Sequence, residues 1–126
     1  MMLDAELMFD NASVYAAGNS AKVIDLGANG AVYNPLDIEV KLVVPATSGG
    51  ITSVKVQSSA TEGFDSATDE CTYFVGSSVA QTVPCVVAQF KAPIKLGNRF
   101  VRLVYAGTAA GAKVTAYMTN GVAVAF

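Results

Sequence analysis

Seven residues, Leu36-Asp37-Ile38-Glu39-Val40-Lys41-Leu42, alternate apolar and charged side chains without a break. Successive side chains of a strand point to opposite faces. The run therefore sets Leu36, Ile38, Val40 and Leu42 on one face and Asp37, Glu39 and Lys41 on the other. That pattern specifies a half-buried antiparallel strand. The rest of the chain follows suit. Val54 and Val56 alternate with Ser53, Lys55 and Gln57, and Val114, Ala116 and Met118 alternate with Lys113, Thr115 and Tyr117. Val122, Val124 and Phe126 finish in the same style. The segment Arg99 to Tyr105 is apolar on both faces and reads as a central strand covered twice.

Shorter strands are expected at Ser13 to Ala16, Lys22 to Leu26, Cys71 to Val75 and Val83 to Phe90. Turn signals separate them, among them Asn34-Pro35, Ser48-Gly49-Gly50, Gly97-Asn98 and Asn120-Gly121. Asn-Gly suits a two-residue hairpin because both positions tolerate positive φ. No window sustains helical periodicity, and at most a short helical turn is expected near Asp4 to Phe9. The expectation is one all-β domain over residues 1–126, with about seven to nine strands and little or no helix. A sandwich, a jelly roll and a small barrel all fit that description.

Composition narrows the function. Apolar residues make up 52% and charged residues 14%, against about 25% charged in an average domain, so the surface is unusually neutral. Such a surface suits broad contact with other proteins. Eight basic residues stand singly and the net charge is −2, which argues against a nucleic-acid partner. The one close basic pair, Arg99 and Arg102, reads as a solvated strand face.

With no His, neither the usual general base nor a Ser-His or Cys-His pair is available. Asp37 and Glu39 share a face, as solvated outer residues do, and no phosphate or dinucleotide loop is present. The chain is expected not to be an enzyme and to need no cofactor. Residues 58–70 read as a long acidic loop carrying Glu62, Asp65, Asp69 and Glu70, but without the ordered spacing of a calcium loop, so no metal is expected. Cys71 and Cys85 would close a loop of about 15 residues worth roughly 3 kcal/mol. In a reducing compartment they read instead as two thiols packed as small hydrophobes.

The first ten residues carry Asp4, Glu6 and Asp10 where a secretory leader needs basic residues and an apolar run, so synthesis and use in a cytoplasm are expected. The longest uncharged stretch, Cys71 to Phe90, is broken by polar residues, Gly and Pro, and no membrane partner is expected. Met2, Leu3, Leu7, Met8 and Phe9 make residues 1–10 too apolar to remain free in water. They form a candidate contact arm, or else cover the edge of the sandwich. Phe64 in the acidic loop either plugs the sandwich or meets a partner. Tyr105 and Tyr117 are further interface candidates, since aromatics are enriched at interface cores.

Five blocks occur in a suggestive order: Leu7 to Ala12, Lys22 to Gly27, Leu36 to Val44, Val54 to Ser59 leading into the acidic loop, and Arg99 to Tyr105. Together they resemble the jelly-roll capsid cement (decoration) proteins of tailed bacteriophages, particularly the short-tailed phages. The resemblance spans nearly the whole chain. It implies an antiparallel jelly-roll sandwich and a non-enzymatic virion protein, made in the host cytoplasm and bound to the capsid exterior. The implied partners are the major capsid protein and further copies of the chain, as a dimer in preference to a trimer. The alternative is a ligand-binding sandwich that recognises a carbohydrate or receptor. The absence of Trp weighs against sugar stacking.

Overall fold

A computed structural model describes residues 8–26, 36–76, 81–95 and 97–119. The alternating segments are strands: β1 (Met8–Val14), β2 (Gly18–Asn19), β3 (Ile24–Asp25), β4 (Leu36–Val44), β5 (Ile51–Ser59), β6 (Thr68–Phe74), β7 (Cys85–Ala92), β8 (Phe100–Gly107) and β9 (Lys113–Met118). No helix occurs among the described residues. The strands form two sheets. One runs β1-β9-β4-β7. In the other, β8 lies between β5 and the short pair β2 and β3, and β6 lies beyond β5. Every strand pair is antiparallel. The chain is an all-β antiparallel sandwich, as the alternation implied.

β2 and β3 follow one another along the same edge of β8, with Gly18 opposite Tyr105 and Ile24 opposite Val101. Counted together they act as one interrupted strand, which leaves eight. The first then pairs with the eighth, the second with the seventh, the third with the sixth and the fourth with the fifth. A long two-stranded ribbon rolled up on itself produces this pairing.

The core lies between the sheets. Leu36, Ile38, Val40 and Leu42 of β4 face Val54 and Val56 of β5 and Val101 and Leu103 of β8, all essentially inaccessible to solvent. Burying each such side chain contributes roughly 1.5–3 kcal/mol. On the margin where β6 approaches β7, Tyr73 stacks on Phe90 with ring centroids 5.2 Å apart. Gln81 closes one end. Its amide accepts from Ile51 N–H (2.7 Å) and donates to Ile51 C=O (2.9 Å), as a neighbouring strand would. Gly107 (φ +112°) passes so near Gly50 that a Cβ would lie 2.3 Å from the Gly50 carbonyl oxygen, so no larger residue fits.

Several expectations are corrected. β1 starts at Met8 and not at Ser13, because Phe9 is inserted as a bulge between the pairs Met8–Tyr117 and Asp10–Ala116. The bulge breaks the two-residue period, so Met8, Phe9 and Asp10 are all buried. Of the expected arm and helical turn, Met8 and Phe9 are therefore extended strand, and residues 1–7 lie outside the described residues. The strand expected at Val122 to Phe126 lies outside them too. β5 and β6 take both ends of the acidic segment, which leaves residues 60–67 as loop, with Asp69 and Glu70 on β6. β8 is central, but its outer face is covered only in part. Val101, Leu103 and Tyr105 point inward, while Phe100, Arg102 and Val104 on the outer face are half-buried and Ala106 is exposed.

Candidate protein interface

Two polar networks tie loops to strands, one inside the sandwich and one outside. Inside, Asp10 of β1 accepts from the Tyr105 hydroxyl (2.5 Å) and from Ala21 N–H (3.0 Å). Because β1 and β8 belong to different sheets, the Asp10–Tyr105 bond crosses the sandwich. Burial pushes the Tyr105 phenol far above its ordinary range, and the neighbouring Asp10 carboxylate adds to the shift. Nearby, Ser20 exchanges bonds with Leu103, its N–H donating to the carbonyl (2.7 Å) and its hydroxyl accepting from the N–H (3.1 Å). Tyr15 packs against Tyr105 at 6.0 Å and donates to Gly107 C=O at 2.8 Å.

Outside, Arg102 Nε donates to Gln57 (2.9 Å), Gln57 donates to Asp69 (2.7 Å), and Lys55 lies 3.5 Å from Asp69. The Arg102 guanidinium sits 4.2 Å from the centre of the Phe64 ring. The loop is thereby folded onto the outer face of β8, with Phe64 buried at φ +55°. The Gln57 hydrogen bond, aided by Lys55, holds the Asp69 carboxyl below its usual value. Arg99 turns elsewhere and forms a two-bond pair with Asp25 at 2.6 and 2.8 Å. Arg99 and Arg102 therefore do not converge on one anion.

Of the interface candidates, Met2, Leu3 and Leu7 lie outside the described residues. The other five are enclosed by the chain's own fold. Phe9 and Tyr105 face the core. Met8 and Tyr117 pair on the outer face of the first sheet, where Lys41 lies 5.3 Å from the Tyr117 ring. Phe64 caps the outer face of the second sheet. None of the five presents an open surface to a partner, and apart from the Met8–Tyr117 pair they do not form one patch.

Other apolar side chains are open. Phe74, 77% exposed, stands on β6 beside Ser53 of β5, which in turn lies beside Ala106 of β8. Val43, Val44, Val83 and Val86 are exposed where β4 ends and β7 begins. Alternation contained a signal for Phe74: with Cys71 and Tyr73 turned inward, it is the apolar residue in the polar register. Cys71 and Cys85 are free thiols, half-buried against the core, and desolvation raises both pKa values. Among the described residues no three Cys, Asp or Glu side chains gather in a metal-holding group. The chain matches no known protein-family model and no curated protein sequence.

Proposed function

We propose that the sandwich is a jelly roll and that the chain is a structural virion protein, bound to the outer surface of an assembled phage capsid. It holds neighbouring major capsid subunits together and acts as a homo-oligomer, preferentially a dimer. One observation carries this reading: a closed core leaves apolar side chains open at separate places, Phe74 on one sheet and the Val43, Val44, Val83 and Val86 group on the other. A subunit that spans several neighbours needs separated contact patches, because weak contacts at separate sites add as avidity. The first-to-eighth strand pairing supports the jelly roll, an architecture used by capsid proteins. The resemblance of the five sequence blocks supports the same function.

The test is co-sedimentation of the purified protein with phage heads that lack it. The expected result is saturable binding at a fixed ratio to capsid subunits, with heads that then resist heat better. Phe74→Ser should weaken binding by roughly tenfold or more, as removal of a central aromatic anchor does. Absence of binding to heads would overturn the proposal. The alternative reading, a carbohydrate- or receptor-binding module, draws on the same exposed Phe74 ring. Competable hits on a glycan array that vanish in Phe74→Ser would establish it.

A further inference from the structure

Asp10 is only 4% exposed, yet the groups against it are neutral: the Tyr105 hydroxyl and the Ala21 N–H. No ion pair reaches it among the described residues. Two accepted bonds use about half of the roughly four lone-pair positions of a carboxylate. A buried anion in that condition is costly unless a cation or further donors meet it.

Asp10 also borders a cavity of about 100 Å³, partly open to solvent, between β1 and the turn that leads to β2. Ser13 and Asn19 share its wall, and no hydrogen bond among the described residues uses either side-chain oxygen. Val14 (74% exposed), Ala16 and Val114 supply apolar lining.

We infer that this cavity binds a primary ammonium group, the end of a lysine side chain or a small free amine, with Asp10 as its counter-ion. An ammonium carries three donors on a compact charge, which suits three acceptor-bearing residues in one wall. At about 30 Å³ per water-sized group, the space takes the ammonium and the first methylenes behind it. The apolar lining suits those methylenes. The inference does not rest on the capsid reading, since it concerns a different surface from Phe74.

The test is an NMR titration of the full chain with n-butylammonium, followed at the Ala21 amide that donates to Asp10. The expected result is a saturable shift. Tetramethylammonium, which has the charge but no N–H, should bind about tenfold more weakly or worse. Asp10→Asn should abolish saturation. Ala16→Phe, made at an exposed position in the cavity wall, should block binding while leaving the Asp10–Tyr105 bond in place. An equal response to both cations, or full binding by a folded Ala16→Phe protein, would overturn the inference. A Gly-Lys-Gly peptide run in parallel separates the sources. Tighter binding of the peptide assigns the site to a lysine of a neighbouring protein, and tighter binding of butylammonium assigns it to a free amine. No saturation by either sinks the proposal.

Discussion

The Asp10 and Asp69 networks are built from similar parts: a carboxylate, a hydrogen-bonded partner and an aromatic ring nearby. They differ in where they sit. Asp10 lies between the sheets at 4% exposure, whereas the Asp69 side chain on the outer face of β6 is 61% exposed. Water competes for every bond that Asp69 makes and screens its attraction to Lys55. At Asp10 water has far less access, so a lost bond tends to leave a group unsatisfied in the interior. Burial decides the energetic weight of a network, and the chemical identity of its members does not.

The strongest attempt to break this contrast is Asp10→Ala. It strands the Tyr105 hydroxyl and the Ala21 N–H together and should cost on the order of 3 kcal/mol in urea unfolding. Retained stability would show that the cross-sheet bond is incidental.

Tyr105→Phe removes one donor to a buried carboxylate and should cost about 2 kcal/mol near neutral pH. It also carries a pH signature. The folded-state pKa of Tyr105 lies above the ordinary tyrosine value of 10.0, so its contribution is fully present below that value and is lost as pH rises beyond it. Tyr15 and Tyr117 are shifted in the same direction by burial and add to the alkaline loss. Tyr105→Phe should therefore flatten stability against pH above about 10, read by chemical denaturation at several pH values. An unchanged alkaline slope would place the linkage elsewhere.

A smaller effect tests the outer network through its backbone. Phe64 has a left-handed φ that costs a residue with a Cβ roughly 1 kcal/mol. Phe64→Ala loses the ring and keeps the strain, whereas Phe64→Gly loses both. The glycine variant should be the more stable of the two by about 1 kcal/mol. The reverse order would mean that the loop relaxes once the ring is gone.

The smallest effect is expected for Asp69→Asn, with no resolvable shift of the unfolding midpoint at neutral pH. Because the folded-state pKa of Asp69 is depressed, its contribution is present above the ordinary carboxylate value of 3.8 and fades as pH falls through the folded pKa. Any difference between this variant and the parent should therefore disappear in acid. A large neutral-pH loss would erase the contrast between the two networks.

Alternation made the core legible in advance. β4 and β5 bury the side chains that a two-residue period selects, because facing is a local property of an extended chain, whereas β9 also has Thr115 and Tyr117 covered on its other face. Where a strand is interrupted, that reading fails. At β1 the extra Phe9 leaves three consecutive residues buried, and at β6 Thr68 and Asp69 pair with Ser58 and Gln57 beyond a register shift in which Glu70 is the extra residue. An acidic, polar composition does not reveal that Asp69 pairs with Gln57 or that Glu70 is the extra residue of a bulge in β6.

The five described interface candidates are covered by the fold for a related reason. Apolar character marks a residue as wanting cover without saying what supplies it. Tyr105 is covered by the opposite sheet and hydrogen-bonded to Asp10, ninety-five residues away in sequence. Phe64 is covered by Arg102 from a strand more than thirty residues on. Phe74 is left open because β6 is an edge strand and only small side chains, Ser53 and Ala106, continue its row.

By itself the sequence determined the class of structure, the face each regular strand turns inward, and the low share of charged residues. All three follow from periodicity or composition, which act over neighbouring residues or over the chain as a whole. Only the tertiary structure decided the order of strands in each sheet, the pairing of Asp10 with Tyr105, the cavity beside them and the apolar side chains left uncovered. Those depend on which distant segments meet, and a meeting across ninety residues is set by the packing of two sheets, which no local pattern encodes.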